Sequence, residues 1–166
     1  MIIRTIMEED AHDFLSCLRK LDTETEYMLF EPGERKLSFE DQKKRIQNVL
    51  QQENSTILLA VENGELAGFI AAFGGTVQRN KHSVSIVIGI LEEHQGRGLG
   101  HSLFTSLYEW AKIIDLHRFE LTAMSHNKKA LSLYRKHGFE IEGVKKHSLK
   151  IRDTYIDEYY MGRILE

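Results

Sequence analysis

Apolar residues recur along this chain in two rhythms that exchange often. Ile2–Ile6 predicts a short strand. Phe14, Leu15, Leu18 and Leu21 then fall at helical spacing and predict an amphipathic helix over Glu8–Leu21. Residues 22–37 lose all periodicity and hold the only proline, in Glu31-Pro32-Gly33-Glu34, which predicts a loop. Ser38, three residues ahead of Asp41, fits a capping box with Asp in place of Glu. A helix follows to about Gln52, with Ile46, Val49 and Leu50 on one side. Thr56–Val61 and Leu66–Phe73 predict strands. They are joined through Asn63-Gly64, a pair that tolerates positive φ and suits a tight hairpin.

The second half is richer in chemistry. Val84–Leu91 is a strand full of β-branched residues. Leu99, Leu103, Leu107, Ala111 and Ile114 mark a helix that opens directly out of a glycine-rich stretch. Phe119–Met124 predicts a strand and Asn127–His137 a helix, with Gly138 where a C-terminal glycine cap belongs. Two terminal runs, about 139–151 and 154–165, flank Arg152-Asp153 as a hairpin. Strands alternate with helices only in part, so the expected class is α/β of the mixed α+β kind, not a purely parallel sheet. No linker or shift in composition divides the chain, and one domain is expected over residues 1–166.

Composition narrows the function classes. The formal net charge is −3, so bulk electrostatics give no basis for nucleic-acid binding. No apolar run approaches the ~20 residues that span a bilayer. The start has neither a basic leader nor a long apolar stretch, so no signal peptide and a cytoplasmic location are expected. The single cysteine, Cys17, excludes an internal disulfide framework and reads as a core thiol. The eight histidines show no metal-ligand spacing, and no metal is assigned.

The most informative segment is Gln95-Gly96-Arg97-Gly98-Leu99-Gly100, between a strand and a helix. A helix start leaves backbone N–H groups without carbonyl partners, and its dipole adds positive potential there. Glycines clear the approach, so the segment suits a phosphate. It is not a nucleotide P-loop, because Gly100 is followed by His101-Ser102 instead of Lys-Ser/Thr. It is not a dinucleotide fingerprint either. Counted from Gly96 or Gly98, the sixth position is His101 or Leu103 where glycine is needed.

Gln-x-x-Gly-x-Gly in this setting resembles the pyrophosphate loop of the GNAT superfamily of acyl-CoA N-acyltransferases. A second likeness lies downstream. The run from Asn127 through Ala130 and Tyr134 to Gly138-Phe139 resembles that family's Asn-x-x-Ala-x-x-x-Tyr-x-x-x-Gly-Phe. On the residues alone, Asn127 could be an N-cap and Tyr134 a core aromatic. The order of elements also agrees, so the resemblance covers about Ile2 to Ile164.

The resemblance implies a mixed central sheet of about seven strands with flanking helices. Two neighbouring strands, Ser85–Leu91 and Phe119–Met124, would splay to admit the pantetheine of acetyl-CoA. It implies that main-chain groups around Ile88, Gly89 and Ile90 pair with the pantetheine amides. The N–H groups of Gln95, Gly96, Arg97, Gly98, Leu99 and Gly100, beside His101, would hold the pyrophosphate. Arg97 would add charge there, and Lys128 or Lys129 would meet the 3′-phosphate. Asn127, Ala130 and Tyr134 complete the cofactor side.

Acetyl transfer also needs donors for the developing oxyanion, and backbone N–H groups near the end of strand Ser85–Leu91 are the natural choice. Tyr134 is the candidate acid for the departing thiolate. Glu92 and Glu93 are the candidate bases, acting through water. Between residues 22 and 34, Tyr27-Met28-Leu29-Phe30 lies among Asp22, Glu24, Glu26, Glu31 and Glu34. An aromatic wall with acidic neighbours would suit a cationic amine. The acceptor stays open among a small-molecule amine, an amino acid and a peptide N-terminus, and dimers are a family-level expectation. A non-catalytic acyl-CoA sensor is the alternative from another class.

Overall fold

Two residues with positive φ set the first half of the sheet. Asn63 (φ 53) and Gly64 (φ 85) close a two-residue turn between β2, Thr56–Glu62, and β3, Glu65–Gly74. Such a turn carries the twist that antiparallel strands require. The computed structural model describes all 166 residues. β1, Ile2–Thr5, pairs antiparallel with the outer edge of β2, and β4, Ser83–Ile90, pairs antiparallel with β3. β5, Arg118–Met124, lies parallel to β4 after a helical crossover. β6, Glu140–Ile151, and β7, Thr154–Ile164, form the final hairpin, with β7 inserted beside β5. The seven-stranded order is β1-β2-β3-β4-β5-β7-β6, a mixed sheet as the sequence predicts.

Helices cover both faces. α1, Ala11–Glu24, and α2, Phe39–Leu50, pack with Ile57, Leu59, Phe69 and Ala71 on one face. α3, Leu99–Ile113, and α4, Lys128–Lys136, pack with Leu58, Ala60, Ile70, Ala72, Val84 and Phe119 on the other. Successive residues of a strand point to opposite faces, so β2 is buried from Thr56 to Ala60 without a break. This double cover explains why its sequence is a continuous apolar run and not an alternation. No helix is long and apolar enough to cross a membrane.

Three local expectations need correction. The first helix does not start at Glu8. Glu8–Asp10 forms a 3₁₀ turn, because the Asp10 carboxylate is held at 2.7 Å by both Arg4 guanidinium nitrogens and also accepts the Met7 N–H at 2.7 Å. The same helix runs three residues past Leu21, taking Asp22, Thr23 and Glu24 out of the expected loop. Asp22 is buried there because Arg35 reaches back with two bonds, at 2.8 and 3.0 Å. In α2, Ser38 caps the helix as expected, accepting the Asp41 N–H at 3.1 Å. The buried stripe is Gln42, Ile46 and Val49, however, and Leu50 is exposed.

The sheet's hydrogen-bonded ladder breaks between its two parallel strands. β4 and β5 pair only at Ser83↔Arg118, Val84↔Phe119 and Ser85↔Glu120. Beyond Ser85 no partner residues remain, so the two strands part and leave a wedge between Ile86–Ile90 and Leu121–Met124.

Candidate active site

The wedge exposes backbone groups of known direction. The Leu91 N–H donates to the Ala67 carbonyl at 3.0 Å, so residues in phase with Leu91 face β3. The His82 carbonyl accepts from His117 and Arg118 at the β5 side, at 3.2 and 3.1 Å. By alternation the peptide groups of Ile86, Ile88 and Ile90 face the wedge, and those of Gly89 face β3. Gly89 is a glycine for another reason. A Cβ there would lie 2.7 Å from Leu21 Cδ1 and 2.8 Å from Phe69 Cε1, where α1 packs on the sheet.

At the end of β4 a 3₁₀ turn, Glu92–His94, leads into the glycine-rich segment. Gly96 and Gly98 have φ of +74 and +80, and a Cβ on either would meet nothing within 4 Å. Gly98 is the N-cap of α3; it has no capping side chain, and no acidic residue sits in the first turn. The N–H groups of Leu99, Gly100 and His101 thus lack helical partners. This is an anion cradle formed by backbone. Gly100 has a different task, since a Cβ there would stand 2.8 Å from Leu133 Cδ2 and 3.4 Å from Ile90 Cδ1. It lets α3, α4 and β4 close together.

A cavity of about 1090 Å³ runs from the wedge over this cradle. Of the expected cofactor residues, Ile88, Gly89, Ile90, Gln95, Gly96, Gly98, Leu99, Gly100, His101, Asn127, Ala130 and Tyr134 all line it. Lys128, Lys129 and Lys136 add positive charge along its α4 side. Gln95 ties the two sides, donating to the Ile90 carbonyl at 3.0 Å and accepting from Lys129 Nζ at 2.8 Å. His101 Nδ1 lies 3.1 Å from His137 Nε2. Arg97 turns outward instead, to Glu62 at 3.3 Å and the Glu93 carbonyl at 3.0 Å. Glu92 lines the cavity. Glu93 does not; it is held by Lys20 at 2.6 Å.

Asn127 caps α4 by accepting the Ala130 N–H at 3.2 Å, and Tyr134 lies two turns further on. The Tyr134 ring is buried, with Phe104 edge-on and Phe139 tilted against it, each at 6.0 Å between ring centres. Burial pushes its phenol up to about 12, so it is fully protonated near neutrality. Burial likewise raises the Cys17 thiol to about 12, which leaves it inert as a nucleophile.

A second cavity, of about 580 Å³, opens on the α1/α2 face of the sheet. Its floor is Phe69, Ala71, Phe73, Val87 and Thr122, and the segment Tyr27–Phe30 closes over it. Tyr27, Met28, Ile88, Asn127 and Tyr134 line both cavities, which therefore meet beside the wedge. The aromatic wall expected from the sequence is present, but the acidic neighbours do not line this cavity. Asp22 binds Arg35, Glu24 accepts the Glu92 N–H at 2.9 Å, Glu26 pairs with His126 at 3.1 Å, and Glu34 accepts the Glu31 N–H at 2.9 Å. The polar residues that do line it include Gln42, Arg45 and Glu158, none of which stands in a motif. Gln42 left a trace in the sequence, as a polar residue in phase with Ile46 and Val49. Glu158 left none.

A parallel strand pair splayed over an uncapped, glycine-opened helix, with a second cavity meeting it at the wedge, defines the class: an N-acyltransferase working on an acyl-coenzyme A. The chain belongs to the acetyltransferase (GNAT) family, whose sequence profile matches residues 15–139. It is 31% identical over 112 residues to the L-amino acid N-acetyltransferase AaaT of Escherichia coli (strain K12), covering 64% of this chain and 67% of that one. An acetyltransferase of the GNAT family from Streptococcus pneumoniae superposes with a TM-score of 0.95 at 29% identity, over 99% of both chains. The yncA protein of Salmonella typhimurium, solved with its cofactor acetyl-CoA, shares the fold with a TM-score of 0.88 at 18% identity, over 100% of this chain and 94% of that one.

Proposed function

We propose that the protein transfers the acetyl group of acetyl-CoA to a primary amine of a small molecule, most simply an amino acid, by direct attack. The observation that carries this reading is the meeting of the two cavities at Ile88, Asn127 and Tyr134. The larger cavity suits acetyl-CoA, with its diphosphate on the α3 cradle, its pantetheine along the Ile88 and Ile90 edge, and its thioester at the junction. The amine then arrives from the other face of the sheet. Likeness to an L-amino acid N-acetyltransferase supports an acceptor of that size.

Each group has a task that its chemistry can perform. The wedge-facing N–H groups of Ile88 and Ile90 are fixed dipoles, available to pantetheine amides and to the carbonyl oxygen as it gains charge. Tyr134 supplies a hydrogen-bond donor to the departing sulfur. With its phenol near 12 and a thiol near ~8.5, full transfer is uphill, so donation of a hydrogen bond is its main contribution. Lys128, Lys129 and Lys136 offer cations to the remaining phosphate.

The test is free-thiol release from acetyl-CoA over a panel of amino acids, polyamines, aralkyl amines and peptide N-termini. Steady turnover on one class is expected. Tight acetyl-CoA binding without turnover on any amine would replace the enzyme with an acyl-CoA sensor.

A further inference from the structure

Glu158 is the only acidic residue lining the smaller cavity. It lies on β7 opposite Met124 of β5, at the unpaired end of the wedge, and its side chain is 12% exposed. A bulge in β6 holds it. Lys145 pairs with Glu158 and Leu149 with Ile156, so residues 146–148 are accommodated against Asp157 alone. His147 takes φ 49 and its N–H donates to Asp157 Oδ1 at 2.8 Å. The bulge brings Ser148 Oγ to Glu158 Oε1 at 2.9 Å and Lys145 Nζ to the same oxygen at 3.6 Å. Both protein contacts fall on Oε1, which leaves Oε2 for a ligand. Around it the cavity is apolar: 18 of its 25 lining residues are hydrophobic, Met28, Leu29, Phe30 and Phe73 among them.

We propose that Glu158 receives the ammonium group of an apolar primary amine in this cavity and takes the proton that must leave before attack. The proposal rests on the acetyl-transfer reading and names its acceptor class. The ammonium gives one proton to Oε2. The freed lone pair forms the N–C bond while the carbonyl π electrons move to oxygen. On collapse the C=O bond reforms and C–S breaks, and the sulfur takes the nitrogen's second proton through water while Tyr134 donates it a hydrogen bond. Glu158 returns its proton to solvent as the amide departs. One ammonium and one thioester thus give one amide, one thiol and one proton. The other charged or titratable groups lining this cavity are Tyr134 from α4, Tyr27 and Arg35 from the segment after α1, and Arg45 from α2, while Lys145 from β6 stands beside Glu158 without lining the cavity. Arg35 is neutralised by Asp22. Glu158, whose Oε1 takes the Lys145 and Ser148 contacts, is the one carboxylate lining the cavity and so the one group there that can attract a cation through Oε2.

The test starts with the wild-type protein and uses 2-phenylethylamine and 2-phenylethanol as probes, with acetyl-CoA affinity measured separately by calorimetry. The amine is expected to be acetylated, and the neutral alcohol to bind at least about tenfold more weakly. Equal binding of the two, or turnover confined to polar polyamines, overturns the proposal. Glu158→Gln keeps the Ser148 bond and the shape. It should lower kcat/KM for the amine by about a hundredfold at pH 7 while acetyl-CoA affinity stays within about twofold. The deficit should shrink as pH rises toward the amine's own titration near ~10, since a pre-neutralised amine needs no base. A loss that stays constant with pH, or no loss, also overturns it. If the variant does not fold, the wild-type comparison of amine and alcohol decides. Wild-type protein that fails to bind acetyl-CoA would instead remove the acetyl-transfer reading.

Discussion

Replacing Tyr134 by Phe removes one oxygen from a ring that is otherwise packed against Phe104 and Phe139. The size of the effect can be worked from the site. With the phenol near 12 and a thiol near ~8.5, complete proton transfer is uphill by about 3.5 units, or roughly 5 kcal/mol. On the proposed mechanism Tyr134 therefore donates a hydrogen bond to a sulfur that is gaining charge. Such bonds contribute about 1.5–3 kcal/mol. That converts to a fall in kcat of about ten- to 150-fold for Tyr134→Phe, with acetyl-CoA affinity nearly unchanged. The assay is steady-state thiol release, with a single-turnover experiment to establish that chemistry limits the rate. Wild-type kcat in the Phe variant under those conditions would refute the role.

The same shift gives a signed prediction in pH. A phenol raised from 10 to about 12 on folding holds its proton more tightly in the native state. Its contribution is fully present below pH 10 and is lost as pH climbs from 10 through 12, amounting to roughly 3 kcal/mol. Tyr134→Phe should lack this loss, so wild-type stability falls relative to the variant's as pH rises above 10. A wild-type kcat that falls with a midpoint near 10, a fall absent from the Phe variant, would show the phenol to be unshifted by its burial.

Two further outcomes are expected. Gly98→Ala forces a side chain into φ +80, costing about 1–2 kcal/mol, and occupies the open cradle, so acetyl-CoA affinity should drop at least about tenfold in calorimetry. Gly100→Val acts instead through Leu133 and should lower the melting temperature by about 2–12 °C, and equal effects of the two on binding and melting would erase the distinction. Arg35→Met strands the buried Asp22 carboxylate and should cost about 3–5 kcal/mol in denaturant melts, with Asp22→Asn in the same chain restoring at least half; a single variant as stable as wild type would mean Asp22 needs no partner.

Features encoded within one turn of chain were legible in the sequence. Ser38 and Asp41 mark a cap, Asn63-Gly64 a hairpin, and Gln95–Gly100 a strand that turns into an uncapped helix. Each needs only neighbours within six residues. What failed to show depends on partners far along the chain. Asp22 reads as loop because the residue that neutralises it, Arg35, comes 13 positions later. One miss is local: Glu8 reads as helical because the apolar pattern does not show Arg4, six residues before Asp10, pulling that carboxylate onto β1. The contact of the Arg97 guanidinium with Glu62, 35 residues earlier, is likewise invisible in the glycine run that holds Arg97. Glu158 is the extreme case. Its place depends on the β5–β7 register and on a bulge in β6, and neither can be read from a local pattern of apolar residues.

The two cavities are built by different means, and on the proposed reading the difference bears on which residues can vary. The cofactor side relies on backbone: free N–H groups at the start of α3, and the wedge-facing peptide groups of β4. A side-chain change disturbs these only where it adds bulk or alters φ, which makes the glycines the sensitive positions. The smaller cavity, the proposed acceptor side, is lined by side chains from Tyr27–Phe30, α2 and the final hairpin, where each substitution reshapes it. The strands can part without loss of the sheet because β4 remains paired with β3, and β5 with β7, along nearly their whole length. The wedge thus opens at the single parallel pairing in the sheet, which carries only three residue pairs. A site placed there disrupts few ladder bonds, and the peptide groups it frees are the ones an extended amide-bearing ligand would satisfy.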